Sequence, residues 1–211
     1  MIGLRMPAMD IHDRILEAAK RVYAQHGFRG ATTRLIAIEA DVNEVTLFRT
    51  FGSKAALFEA LMAAHNAQSP IPLLPEEPAD PARELTDWVR RVLTHMRENR
   101  ALIRTSVGEA EERPGAAVTM CEGPTCAGRI LSGYMRRLQA QGLADPDVDV
   151  ETVRAMLLSA MFGDAICRDM MEHVFPEPES EAAAKYVGIV VRALGIDRAR
   201  PLQVARSAAG D

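Results

Sequence analysis

The chain has 211 residues, a net charge of −4 and 48% hydrophobic residues, an ordinary globular balance that allows a sizeable core. No apolar run of roughly 18 residues occurs, which excludes a membrane-spanning helix. The opening MIGLRMPAMD lacks the apolar segment of a secretory signal, so a cytoplasmic protein is expected.

Residues 1–66 hold 8 Lys+Arg against 7 Asp+Glu, and residues 67–211 hold 17 against 22. The less acidic amino-terminal third permits contact with nucleic acid without demanding it. Cys121, Cys126 and Cys167 form no CxxC pair. On one helix Cys121 and Cys126 point about 140° apart and cannot bridge, so small buried side chains are the plainer reading, against a redox switch.

Residues 1–9 read as a loose arm. Asp10 is placed to cap a helix over 11–26, with Ile11, Ile15, Leu16, Ala19 and Val22 at helical spacing. Gly27 stops it, Phe28 packs back and Gly30 turns the chain toward Thr32. The next stretch, TTRLIAIEADVNEVTLFRTFGSK from Thr32 to Lys54, reads as two short helices and a tight turn. Thr32 or Thr33 caps the first, which carries Leu35, Ile36, Ile38 and Ala40. Asn43 caps the second, over 44–50, with Val42, Leu47 and Phe51 on its buried side. Gly52-Ser53 breaks that helix, and Ser53 caps another that opens at Lys54 and carries Leu57, Phe58, Leu61 and Met62. Helices of about seven residues cannot each bury a core alone. As a pair leaning on neighbours they form a helix-turn-helix, whose second helix can enter a DNA major groove.

The pieces RILEAAKRVYAQHGFRGATT, LIAIEADV and TLFRTFGSKAALFEAL, in this order between Arg14 and Leu61, resemble the DNA-binding domain of the tetracycline-repressor (TetR) family of bacterial regulators. The resemblance implies an all-α fold of about nine helices. A three-helix helix-turn-helix DNA-binding domain would occupy 1–53, and a helical ligand-binding and dimerisation domain 54–211. It implies a homodimeric transcription factor, usually a repressor, released from operator DNA when a small molecule binds. Asp41 stands where the family has a turn glycine, Phe48 where it has a tyrosine, and Thr50 where histidine is common. Glu44 adds negative charge to the recognition helix and would repel phosphate unless it accepts from a cytosine amine.

Beyond residue 68 come four prolines between Pro70 and Pro78, which make a loop. Asp80-Pro81 opens a helix to about 99, with Leu85, Trp88, Val89, Val92, Leu93 and Met96 as its apolar stripe and Arg83, Arg90, Arg91 and Arg97 on a solvated face. A helix over 100–112 places Leu102, Ile103, Ser106 and Val107 inward, and Pro114-Gly115 interrupts it. Helical character resumes to 141 with a disturbance at Gly123-Pro124. Its strong part is Ile130, Leu131, Tyr134, Met135 and Leu138, stopped by Gly142. Two final helices, over 150–174 and 180–194, are apolar on every side and should be buried on more than one. Residues 196–211 read as a frayed tail.

For DNA, the candidates are Asn43, Glu44, Val45, Thr46 and Arg49 toward the groove and Thr33, Thr46, Thr50 and Lys54 toward phosphates. Each has a plain alternative: Thr33 as a cap, Arg49 in an ion pair, Lys54 as a solvated charge. For ligand, the inward set is Met62, His65, Trp88, Val92, Met96, Ile103, Val107, Met120, Ile130, Tyr134 and Phe162, suited to a mostly apolar molecule or simply to a core. For a dimer interface, Ala155, Ser159 and Gly163 form a small-residue row, joined by Tyr186, Val187, Val190, Val191 and Leu194 on the last helix. The sequence has no GxSxG, HExxH, glycine-rich phosphate loop or zinc-spaced Cys/His cluster, so no enzyme, metal or cofactor is expected. The alternative is a small-molecule-binding dimer of the same fold whose DNA binding is weak or lost.

Overall fold

A computed structural model describes residues 10–68, 70–112, 122–171 and 173–196. Nine α-helices and no strand occur among them. They fall into two compact units, Met1–Pro70 with Asn99–Gly123 and Ile71–Glu98 with Pro124–Asp211. Met120, Cys121, the interruption expected at Pro114-Gly115 and the tail beyond 196 lie outside the described residues.

The first unit contains α1 (Ile11–Gly30), α2 (Thr33–Glu39), α3 (Glu44–Phe51), α4 (Lys54–Gln68) and α6 (Arg100–Glu112). Asp10 Oδ1 accepts from the Ile11 amide at 2.6 Å, and Ile15, Leu16, Ala19 and Val22 are buried as their spacing predicts. Ile11 is not: it is 46% exposed in the first turn, at the edge of the core. Gly27, at φ 64°, breaks the helical path of α1, and Phe28 folds back against Tyr23 and Phe58 at centroid distances of 5.8 and 5.5 Å. Tyr23 and Phe58 meet edge to face at 4.9 Å. The α6 helix covers α1 with Leu102, Thr105 and Ser106, while Val107, expected inward, is exposed. Thr105 Oγ1 donates to the Tyr23 carbonyl at 3.3 Å, and the Ser106 hydroxyl lies 3.4 Å from Met62 Sδ.

The second unit contains α5 (Pro81–Glu98), α7 (Glu122–Ala140), α8 (Val150–Cys167) and α9 (Ala182–Ala193), with a 3-10 turn at Glu179–Glu181. The α5 stripe is buried as its spacing predicts, with Met96 half-buried. Gly123-Pro124 does not disturb a helix midway. It sits in the first turn of α7, where a missing amide costs nothing. Gly142, at φ 68°, ends that helix region, and the Leu143 amide donates back to the Leu138 carbonyl at 2.8 Å. The α8 helix stops at Cys167, well short of the expected residue 174.

The end of α8 adjoins an ion-pair centre that corrects the reading of Arg97. Asp164, with no exposure, lies inside an apolar helix and is met by two guanidinium groups. Arg97 Nη2 donates to Oδ1 at 2.6 Å, and Arg168 donates to both oxygens at 2.9 and 2.7 Å. The Tyr186 hydroxyl of α9 adds a donor at 2.9 Å. Arg97 is only 17% exposed and belongs to this centre rather than to a solvated face. Arg168 also reaches Glu177 at 2.8 Å and the Pro176 carbonyl at 3.0 Å, which folds the chain after α8 back on itself. Met170, Met171 and Val174, read as helix, are exposed there.

Burial alone would raise the Asp164 pKa; the donors from Arg168, Arg97 and Tyr186 outweigh it and hold the carboxyl below its ordinary value. A depressed folded-state pKa stabilises above the unfolded value, and that contribution is lost as pH falls below about 4. Asp164→Asn, which leaves the largely buried guanidiniums of Arg97 and Arg168 with only the exposed Glu179 and Glu177 as counter-charges, should cost about 3 kcal/mol in urea unfolding near neutral pH. It should also flatten the acid limb of the stability profile. An unchanged urea midpoint would refute this account of the second unit.

Candidate nucleic-acid interface

The surface begins with the caps that fix two short helices. Thr32, not Thr33, caps α2: its Oγ1 accepts from the Leu35 amide at 3.1 Å. Asn43 caps α3, with Oδ1 accepting from the Val45 amide at 2.9 Å. Asp41 joins the two helices at φ 52°, a left-handed conformation that a short polar residue tolerates. The Asp41 amide donates to the Ile38 carbonyl at 3.0 Å, and Val42 to Ala37 at the same distance. Arg14 of α1 closes the turn from behind, donating to the Ala40 and Asp41 carbonyls at 2.7 and 3.0 Å. A cation at the C-terminal end of α2 meets carbonyls that have no helical partner. Arg21 adds an exposed pair with Glu39 at 2.7 Å. Sequence reading missed both arginines; residues 14 and 39 to 41 have no recognisable spacing.

Leu47, fully buried, anchors α3 to the core, with Val42 and Phe51 packed partly against it. The helix leaves through Gly52 at φ 76°, whose amide donates to the Phe48 carbonyl at 2.7 Å. Ser53 Oγ then accepts from the Ala56 amide at 3.0 Å, capping α4. With Leu47 inward, Val45 lies about 160° round the helix from it, Arg49 about 40° from Val45 on one side and Phe48 about 60° on the other. Val45 is 71% exposed and Phe48 44%. Arg49 is exposed and makes no ion pair among the described residues. Thr46, half-buried, flanks this face, and Asn43 is exposed at the cap.

The remaining candidates are engaged within the chain. Thr33 Oγ1 donates to Glu44 Oε1 at 2.6 Å, across α2 and α3. Thr50 Oγ1 donates to the Thr46 carbonyl at 2.8 Å. Lys54 Nζ donates to the Phe28 carbonyl and stands 4.1 Å above the Phe28 ring. Tyr23 OH donates weakly to the Lys54 carbonyl at 3.4 Å. Lys54 thus ties the start of α4 to the end of α1.

The other candidate positions divide between the units. In the first, Met62 is buried, His65 and Ile103 are half-buried and Val107 is exposed. In the second, Trp88 is fully buried with Nε1 donating to the Pro72 carbonyl at 2.7 Å, and Tyr134 is fully buried with its hydroxyl on Glu84. Burial, then the Glu84 contact, pushes the Tyr134 pKa upward, so the phenol stays a donor. Val92 is buried, and Met96, Ile130 and Phe162 are half-buried. An open depression of about 200 Å³ lined by Arg168, Met171, His173, Phe175 and Glu177 contains none of these positions. On the proposed dimer helices, Ala155 and Ser159 are exposed, Gly163 and Tyr186 half-buried, and Val187, Val190, Val191 and Leu194 buried in the unit's own core. The large apolar side chains exposed on these helices are Met156 and Ile189. Among the described residues no helix is long and apolar enough to cross a membrane, and no His, Cys, Asp or Glu group is placed to hold a metal.

Comparison with known proteins bears on the first unit most directly. Residues 15–61 match the family described as bacterial regulatory proteins, tetR family. The HTH-type transcriptional regulator YvkB of Bacillus subtilis is 25% identical over 185 residues, 87% of this chain and 97% of that protein. The HTH-type transcriptional regulator UidR of Escherichia coli K12 is 23% identical over 77% of this chain and 84% of its own. Among solved structures, a tetR-family regulatory protein from Rhodococcus RHA1 aligns with a TM-score of 0.70 at 22% identity, over 90% of this chain and all of the other. GusR of Salmonella enterica aligns at 0.67 and 21%, over 92% of this chain and all of its own. At these identities the structural likeness speaks for the fold.

Lys54→Met should lower stability by about 1–2 kcal/mol through the lost cation–π and charge-assisted contacts on Phe28. Urea unfolding without DNA checks it. An unchanged midpoint would leave Lys54 with no structural role.

Proposed function

We propose that this chain, a member of the tetR family of bacterial regulatory proteins by its segment 15–61, is a DNA-binding transcriptional regulator that acts as a homodimeric repressor on a palindromic operator. A small, mostly apolar effector releases it. The observation that carries this reading is the outward face of α3. Val45, Phe48 and Arg49 stand clear of the core on a helix pinned by the Asn43 cap, the Arg14 clasp on the turn and the Leu47 anchor.

In this reading residues 1–53 are the reading head, and 54–211 bind effector and pair the chains. Arg49 and Asn43 contact base edges, while Thr33, Thr46, Thr50 and Lys54 face the backbone. With so little net positive charge per head, two heads bound together supply affinity that one cannot. They must sit one turn of DNA apart, about 34–36 Å. The exposed Ala155, Met156 and Ser159 on α8 and Ile189 on α9 are the surface assigned to the second copy, and the buried Val187, Val190, Val191 and Leu194 support it from beneath. In the second unit, Met96, Ile130 and Phe162, half-buried and apolar, are assigned to the effector; Trp88 and Tyr134 already spend their polar atoms in the core. Effector acts only through its differential affinity for the bound and released states.

One observation favours a second reading, an effector-binding dimer with weak DNA binding. Thr33, Glu44, Thr50 and Lys54 all use their polar atoms inside the chain. Selection from random duplexes at low salt separates the two. Enrichment of a palindrome supports the first, and its absence the second. On the enriched site, Arg49→Ala should cost about 1–3 kcal/mol and relax preference at one position per half-site. Retention of both affinity and preference would move the reading role off α3.

A further inference from the structure

We infer that Val45 reads the 5-methyl group of a thymine, and that Glu44 takes no part in base recognition. The inference rests on the DNA-binding reading above and deepens it. On α3, Val45 and Arg49 each lie about 160° round from the buried Leu47 and share the face that would meet a groove floor, and the apolar member of that pair is Val45. It has no hydrogen-bonding atom. The apolar feature that a base pair offers in the major groove is the thymine 5-methyl.

The neighbours that could read base edges by hydrogen bonding are partly spent. Glu44 accepts the Thr33 hydroxyl at 2.6 Å, which turns its carboxylate toward α2. Asn43 Oδ1 is committed to the Val45 amide and Thr50 Oγ1 to the Thr46 carbonyl. Arg49 has an exposed guanidinium without an ion pair among the described residues. The half-site this face fits pairs a guanine, met by Arg49, with a thymine nearby, met by Val45.

The test uses the full chain and the duplex it selects from a random pool, with each thymine replaced in turn by deoxyuridine. That exchange removes only the methyl. Burial of one methyl corresponds to about a four-fold change in affinity. Binding by fluorescence anisotropy at fixed salt should weaken about four-fold at one thymine per half-site, and about fifteen-fold when both are exchanged. Val45→Ala should be insensitive at that position, and Val45→Ile, which keeps the apolar reach, should remain sensitive. Circular dichroism confirms that each variant is folded, as expected for an exposed site. Glu44→Gln should leave base preference unchanged. If the selected duplex binds but no thymine responds, or Val45→Ala responds as the parent does, the inference falls and the DNA-binding reading stands. If no duplex is selected, both fall.

Discussion

Tyr23 is the point at which the helices of the first unit are held together. Its ring meets both Phe28 and Phe58, its carbonyl accepts from Thr105 of α6, and its hydroxyl reaches the Lys54 carbonyl at the start of α4. Helices as short as α2 and α3 have little stability of their own, because nucleation is costly and few bonds follow it. They persist because α1 and α4 supply a preformed surface for Ile36, Ala37 and Leu47. The direction in which α3 points is therefore fixed by residues far from it in the chain.

The elements that depend on local chemistry could be read directly from the residues. Asn43, Ser53 and Asp80 each cap the helix their type and position foretell, and Gly52 and Gly142 take positive φ where helices must end. The α5 stripe follows from its spacing alone. What could not be read depends on partners brought together by folding. Arg97 and Asp164 are 67 residues apart, Arg14 and Ala40 are 26, and Thr33 and Glu44 are 11. An arginine beside an apolar stripe looks the same whether it faces water or a buried carboxylate. Likewise Val187, Val190 and Val191 look alike whether they face their own core or another chain, and in this chain they face the core.

The two units solve a similar problem by different means. The first closes on a cluster of three aromatic rings. The second places one carboxylate among apolar side chains and surrounds it with Arg97, Arg168 and Tyr186 from three parts of the chain. Such a centre adds less net stability than an apolar set of equal volume would, since charges must be stripped of water. It does demand one relative position of α5, α8 and α9. The same arginine that satisfies Asp164 reaches Glu177 and Pro176 and so decides where the segment after α8 runs.

Thr33 and Glu44 belong to different helices, yet one hydroxyl decides which way the carboxylate points. The chemical alphabet available to α3 is consequently edited from α2, a helix that need not touch a base. Replacing Thr33 with valine, close in shape but without the hydroxyl, would free an acceptor able to seek a cytosine amine. Retuning of this protein to new sequences can thus begin one helix away from the groove, with the reading helix itself unaltered.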